Sequence, residues 1–205
     1  MDPSPEYLPA SDSSLLIRFG HEINPALNRL VIGLFRYLHQ SNPAWLINLH
    51  PAYCTLLIDF DPRLTTHADV EAFVRSRPVS YFAPIGKRVD VPVRYNGPDL
   101  AFVAAFHHLA LDEVIALHSS TEYLVAFLGF APGFAYLLGL PPQLATPRLD
   151  QPRPQVPAGS VGIAGHQTGI YPAASPGGWR LIGETDRPLT PDWVLPGDRV
   201  RFVPV

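Results

Sequence analysis

The feature that most constrains the fold of this chain is a change in residue pattern near Glu122. Before this residue, apolar side chains recur at three- and four-residue spacing, which is typical of amphipathic helices. After it, proline and glycine become dense, above all between Pro132 and Pro176. Proline withholds a backbone donor and glycine favours tight turns, so long helices are excluded there. The pattern predicts many short strands, as in a β-barrel or a sandwich.

The first part of the chain predicts a different, α+β domain. Asn24 and Pro25 form a helix start, and the helix that follows has an apolar stripe: Leu27, Leu30, Val31, Leu34, Phe35 and Leu38. Strands are predicted at residues 15–19, 45–49 and 53–60, and a second helix at 66–77. We therefore predict a loose N-terminus over 1–12, an α+β domain over 13–84 and a mostly β domain over 85–205.

Composition excludes several classes of protein. The formal net charge is −3 and no run of Lys or Arg occurs, so a nucleic-acid partner is not expected. The single Cys54 and a start without a basic and apolar leader favour a cytoplasmic protein. The uncharged run 123–140 is interrupted by Gly129, Pro132 and Gly133, which favours a buried strand, a turn and another buried segment over a membrane helix.

Three kinds of self-contained site are missing from the sequence. Lys87 follows Gly86 without a subsequent Ser or Thr, so there is no phosphate-binding loop of the G-x-x-x-x-G-K-[ST] type. Ser160 is one position out of frame for the nucleophile elbow G-x-S-x-G. His107 and His108 are adjacent and diverge on regular structure, so no metal site is predicted.

Polar groups concentrate on the Gly- and Pro-rich frame of residues 147–172. The stretch holds Arg148, Arg153, His166, Gln167, Thr168 and Tyr171, together with Ser160. Rigid loops that carry such groups are typical of catalytic or binding sites. The alternative is structural: glycines at barrel corners, arginines paired with acids, and a structural His166. Gly177 and Gly178 could likewise form an anion-binding nest or only a tight turn.

Several long motifs, in order, identify the chain as similar to a known family. They are Gly-Phe-Ala-Pro-Gly-Phe-Ala-Tyr-Leu at 129–137, the Pro-Arg pairs at 147–148 and 152–153, Val-Pro-Ala-Gly-Ser-Val at 156–161, Ala-Gly-His-Gln-Thr-Gly-Ile-Tyr-Pro at 164–172, and Ser-Pro-Gly-Gly-Trp at 175–179. Together they resemble the B subunit of 5-oxoprolinase, a family also called allophanate hydrolase subunit 1 or the KipI sensor-kinase inhibitor family. The same family forms half of the carboxyltransferase domain of urea carboxylase.

The resemblance implies a fold, partners and a reaction. It implies a ferredoxin-like or related N-terminal domain and a cyclophilin-like barrel. It also implies two partners, the A and C subunits of 5-oxoprolinase, with which a protein of this family cleaves 5-oxoproline to L-glutamate. ATP, with Mg, is then shared with the partner subunits, and this chain holds no tightly bound cofactor of its own. The alternatives are a regulator that inhibits a sensor histidine kinase, a subunit related to allophanate hydrolase and urea metabolism, or a prolyl isomerase.

Residue type and motif position suggest roles for the candidate residues. Arg148 and Arg153 are expected to bind the substrate carboxylate or a phosphate, because a guanidinium binds such groups through two hydrogen bonds. His166 is expected to be the acid–base group or a donor to developing charge. Gln167, Thr168 and Tyr171 are expected to hold the lactam. The remaining predicted binding residues are Ser160, Gly177 and Gly178.

Overall fold

The computed structural model describes residues 5–76 and 86–205. The chain divides into two compact units, Met1–Ile85 and Gly86–Val205. The boundary predicted between 84 and 85 lies within residues 77–85, which are outside the described residues. Among the described parts, no single helix is long and apolar enough to cross a membrane.

The N-terminal unit is a four-stranded antiparallel sheet with two helices. Its elements, in chain order, are β1 (Glu6–Ser11), β2 (Ser14–Arg18), α1 (Pro25–Ser41), β3 (Leu46–Pro51), β4 (Thr55–Phe60) and α2 (His67–Arg75). The sheet order is β1-β2-β4-β3. The prediction of a loose terminus over 1–12 is wrong for β1, because its backbone pairs with β2 from Glu6 to Ser11. From β2 onward the predicted strand–helix–strand–strand–helix order is present; the ferredoxin-like assignment stays a prediction.

Helix α1 shows how the sequence determines this unit. The Asn24 side chain accepts a hydrogen bond from the Ala26 amide at 2.7 Å, and Pro25 occupies the first turn. The predicted stripe faces the sheet, with Leu30, Val31, Leu34 and Leu38 buried and Leu27 and Phe35 partly buried. Each fully buried side chain of this size contributes about 1.5–3 kcal/mol.

The C-terminal unit is built mainly from strands. Its elements are β5 (Arg88–Val93), α3 (Leu100–Phe106), α4 (Leu111–Ser119), β6 (Glu122–Leu128), β7 (Ala135–Leu138), β8 (Arg153–Val156), β9 (Ser160–Ala164), β10 (Gln167–Ile170), β11 (Ser175–Gly177), β12 (Arg180–Glu184) and β13 (Arg199–Pro204). Seven strands form one sheet in the order β12-β9-β10-β7-β6-β13-β5, and β8 pairs with β11 in a separate ribbon. The apolar run 123–140 forms β6, a turn and β7, as predicted. Helix α3 was not predicted.

The seven-stranded sheet curls into a nearly closed barrel. Its two edges meet where the amides of Arg94 and Glu184 each donate to the other's carbonyl at 2.9 Å. Inward-facing side chains such as Val91, Leu137 and Ile163 fill the interior. The predicted β-barrel is therefore confirmed in its general form.

A hydrogen-bonded chain crosses this interior. The Tyr95 hydroxyl donates to His118 Nδ1 at 2.8 Å, and the Thr168 hydroxyl donates to the Gly162 carbonyl at 2.9 Å. The 2.9 Å contact between His118 Nε2 and Thr168 Oγ1 therefore needs the proton on Nε2. Complete burial lowers the pKa of His118 to about 3, which keeps the ring neutral.

Candidate functional site

An aromatic cleft lies against the outer face of the barrel. It encloses about 130 Å³ and is lined by Phe130, Phe134, Tyr136, Arg148, Tyr171, Pro176, Gly177, Gly178 and Trp179. The ribbon of β8 and β11 supplies Gly177, while β7 supplies Tyr136. Five aromatic rings and one charged side chain therefore surround a space suited to a small ligand.

Strand alternation explains why aromatic rings can pack against the sheet here. On β10, Thr168 and Ile170 point into the barrel, so Gly169 between them faces outward. A Cβ on Gly169 would lie 3.0 Å from the Ala135 carbonyl oxygen and 3.2 Å from the Trp179 ring. The absence of a side chain at Gly169 therefore allows the Trp179 ring to pack against the sheet.

Tyr171 and Gly177 are in close contact at the cleft. A Cβ on Gly177 would lie 2.3 Å from the Tyr171 hydroxyl oxygen, so only glycine fits without displacing the ring. Burial raises the pKa of Tyr171. A hydrogen bond with the Trp179 backbone and the charge of Arg148 lower this pKa, but the effect of burial is larger. The phenol is therefore protonated at neutral pH and can donate a hydrogen bond.

Phe130 forms an exposed wall of the cleft on a constrained loop. Its φ is +70°, a left-handed value that L residues with side chains seldom adopt. The ring is 63% exposed, although its centroid lies 5.5 Å from that of Phe134. The Trp193 indole N–H donates to the Gly133 carbonyl at 2.8 Å and so anchors this loop. Backbone strain held in place by packing is often found at ligand sites.

Arg148 is the charged group of the cleft. Its guanidinium carbon lies 6.0 Å from the centroid of the Trp179 ring, and the side chain is exposed. It forms no ion pair or hydrogen bond with any other residue in the described ranges 5–76 and 86–205. An uncommitted guanidinium beside aromatic rings can bind a carboxylate or a phosphate through two parallel hydrogen bonds.

Arg153 is placed differently from the prediction. Its Nη2 lies 2.9 Å from the Asp99 carboxylate, and its Nη1 donates to the Trp179 carbonyl at 3.3 Å. Asp99 is 6% exposed and also accepts from the Leu181 amide at 2.6 Å. Arg153 is therefore committed to a shielded ion pair that holds the Trp179 wall, and it does not line the cleft.

The structure brings together four of the nine predicted residues: Arg148, Tyr171, Gly177 and Gly178. Thr168 is fully buried inside the barrel, on the opposite face of β10 from the cleft. His166 is exposed on the β9–β10 turn, where Gly165 has a φ of +54°. Gln167 is half-buried and, two residues before Gly169, faces the same outer side of the sheet. Ser160 is buried on β9. Neither lines the cleft, and the ligand roles of these residues stay predictions.

Sequence reasoning missed the aromatic walls and Asp99. Phe130, Phe134, Tyr136 and Trp179 all lie within motifs that carried the family resemblance, but aromatic residues are more often core than ligand contacts. Within the described residues, no group of three or more His, Cys, Asp or Glu is arranged to hold a metal ion.

The barrel and its cleft belong to a known class of domain. The family model described as carboxyltransferase domain, subdomain C and D, matches residues 5–192, and the chain belongs to this family. Among curated proteins, the B subunit of 5-oxoprolinase from Bacillus subtilis (strain 168) is 39% identical over 216 residues, covering 94% of this chain and 89% of that protein. The resemblance to the B subunit of 5-oxoprolinase is therefore confirmed.

Two solved structures extend the comparison. TTHA0988 matches with a TM-score of 0.87 and 39% identity, over 95% of this chain and 40% of that one. The urea carboxylase of Kluyveromyces lactis matches with a TM-score of 0.73 and 21% identity, over 99% of this chain and 22% of that one. The second likeness shows the fold alone. The chain spans less than half the length of both solved proteins.

Proposed function

We propose that the chain is the B subunit of an ATP-dependent 5-oxoprolinase, which acts with the A and C subunits in the cytoplasm to cleave 5-oxoproline to L-glutamate. The names of its relatives support a subunit of such a complex. The observation that carries the proposal is the uncommitted guanidinium of Arg148 beside a small aromatic cleft.

The cleft matches the chemistry of 5-oxoproline. This molecule is a flat five-membered lactam with one carboxylate. The carboxylate would accept hydrogen bonds from Arg148, and the ring would pack against the aromatic walls of the cleft. The protonated Tyr171 hydroxyl would donate to the lactam oxygen.

The reaction requires activation of an unreactive amide. Transfer of the ATP γ-phosphoryl group to the lactam oxygen turns that oxygen into part of a leaving group. Water then adds to the carbon and the C–N bond breaks, which leaves the acyl phosphate of glutamate. A second water hydrolyses this acyl phosphate, so that glutamate, phosphate and ADP result. The donors around the cleft would stabilise charge that develops on the oxygen. Because the sequence has no phosphate-binding loop, we assign ATP and Mg to a site shared with the A and C subunits.

His166 completes the proposal as the acid–base group. It is exposed on the β9–β10 turn and does not line the cleft, so in this proposal it acts where another subunit completes the site. In this proposal the chain by itself is inactive. A hetero-oligomer is therefore part of the proposed function.

The test is reconstitution of the full chain with the A and C subunits. We expect ATP hydrolysis and glutamate release that depend on 5-oxoproline. Arg148→Gln should lower kcat/KM at least about tenfold, equivalent to about 1.4 kcal/mol. The matched control is Arg63→Gln, because Arg63 is an exposed arginine of the N-terminal unit paired with Asp61. Activity of Arg148→Gln within about threefold of wild type would overturn the site. A complete complex without 5-oxoproline-dependent turnover would overturn the function.

A further inference from the structure

A second cationic feature lies on the outer face of β5 and β13. The two strands run parallel, with Arg201 beside Asp90 in the register. Their inward residues Val91 and Phe202 fill the barrel, so Arg201 and Asp90 face outward by alternation. Arg88, two residues before Asp90, and Arg187, from the segment after β12, approach the same acid. We call Arg88, Arg187 and Arg201 the arginine cluster.

All three arginines reach the same residue, and none does so with good geometry. Arg88 Nε lies 3.3 Å from Asp90 Oδ1, and Arg201 Nη2 lies 3.2 Å from Oδ2. Arg187 Nη1 lies 3.5 Å from the Asp90 backbone carbonyl. Charge-assisted hydrogen bonds between guanidinium and carboxylate are commonly about 2.7–2.9 Å. The arrangement therefore leaves much of the donor capacity unused.

The positive charge of the cluster is not balanced. The neighbouring acids have other partners: Glu122 pairs with Arg199 at 2.5 Å, and Glu184 and Asp186 pair with Arg94 at 3.3 and 2.6 Å. Asp90 thus faces three guanidinium groups alone among the described residues. With Arg94, Arg199 and these neighbouring acids included, five positive charges face four negative ones, which leaves an excess of about one.

Two donors of the cluster are shielded from water and unpaired. The Nε atoms of Arg187 and Arg201 have no hydrogen-bond partner in the described part of the chain, and neither does the acceptor Oδ1 of Asp90 between them. Leaving a shielded donor unsatisfied is costly, above all when the donor is charged. Groups of this kind in a native protein often indicate a missing water or ion.

We propose that the arginine cluster binds a phosphate group, either free or at the end of a nucleotide. A phosphate group carries close to two negative charges at neutral pH and presents three acceptor oxygens to these donors. Arg187 and Arg201 turn outward, so that Nε and a terminal nitrogen donate together to the phosphate oxygens. Asp90 remains paired with Arg88 and orients the other two guanidinium groups. None of these residues lines the aromatic cleft, so the site is separate from the one that the proposed function uses.

The experiment titrates the purified full chain, without partner subunits, at low ionic strength. The probes are inorganic phosphate, Mg-free ATP and, as a singly charged control, acetate at matched ionic strength. Binding is followed by calorimetry and by the rise in unfolding temperature, which depends on ligand concentration over Kd. We expect saturable binding of phosphate and no saturable binding of acetate. Tighter binding of ATP that competes with phosphate assigns the site to a nucleotide, and equal affinities assign it to free phosphate.

Variants locate the binding. Arg201→Gln and Arg187→Gln should each weaken phosphate binding at least about tenfold, and Arg201→Lys, which keeps charge but loses the planar fork, should weaken it too. Arg63→Gln, in the N-terminal unit, should leave it unchanged. The proposal is overturned if phosphate does not bind saturably, if acetate binds equally, or if Arg148→Gln abolishes binding while the cluster variants retain it. Unfolding temperatures without ligand show whether the variants are folded.

Discussion

The ion pair between Asp99 and Arg153 yields the sharpest prediction about stability. Asp99 precedes α3, and its carboxylate connects Arg153 on β8 with the Leu181 amide on β12. Arg180 Nη1 stands 4.0 Å away as a further cation. Asp99 is thus the common partner of every member of this group. We expect Asp99→Ala to destabilise the C-terminal unit more than Arg153→Gln does.

The magnitudes follow from what each substitution leaves behind. Asp99→Ala leaves the buried Leu181 amide without an acceptor and Arg153 without its partner; loss of one partner of a buried pair costs about 3–5 kcal/mol. Arg153→Gln leaves Asp99 with the Leu181 amide and with Arg180. Since the Arg153 side chain is 27% exposed, solvent screens part of the loss, and about 1.5–3 kcal/mol is expected.

Urea unfolding measures both variants. Trp45 lies in the N-terminal unit, so a Trp45→Phe background makes fluorescence report on Trp179 and Trp193 of the C-terminal unit. The matched control is Arg63→Gln, which removes an exposed ion pair of the other unit and should leave the C-terminal transition unmoved. The reasoning is refuted if Arg153→Gln costs as much as Asp99→Ala, or if both cost under about 1 kcal/mol.

Three further predictions concern steric fit and protonation. Gly177→Ala forces a Cβ to within 2.3 Å of the Tyr171 hydroxyl, so 5-oxoproline-dependent turnover of the complex should fall while the fold persists; wild-type turnover would contradict it. Gly97→Ala places a Cβ 2.4 Å from the Ile182 backbone and should lower stability by about 1–3 kcal/mol or more in urea unfolding, whereas a neutral effect would contradict it. His118 should be neutral at pH 5 in its ¹⁵N spectrum, because its pKa is about 3 when folded and 6.5 when free. The unfolded chain alone takes up that proton, so stability should fall as pH drops from 6.5 towards 3, by up to about 1.4 kcal/mol per unit.

The elements that the sequence predicts well are those whose signals are local. Asn24, Pro25 and the apolar stripe after them are enough to place α1, because capping and periodicity act over a few residues. The sequence does not predict β1, because its residues include Pro9 and mostly exposed side chains and so lack a strand pattern. This strand is stabilised by its pairing with β2. Helix α3 is not predicted either, because its seven residues are too few to show a period.

The site is less predictable because it depends on register and on distant partners. Thr168 and Tyr171 are three residues apart and therefore face opposite sides of the sheet. The register of β10 decides which of the two faces the barrel interior. Arg148 and Arg153 look equivalent in sequence. However, Asp99, 54 residues before Arg153, forms an ion pair with Arg153 and not with Arg148. Motif and residue type therefore indicate the region of the site, and the sheet decides which side chains face it.

Closure of the barrel limits how this chain can assemble with other proteins. With Arg94 and Glu184 joining its margins, the barrel presents few free backbone groups on which a foreign strand could grow. The outer strands of the N-terminal sheet carry Pro9 and Pro51, which withhold amide donors from any such extension. Strand addition is therefore disfavoured at these margins, and side chains are the main groups there that a partner could contact.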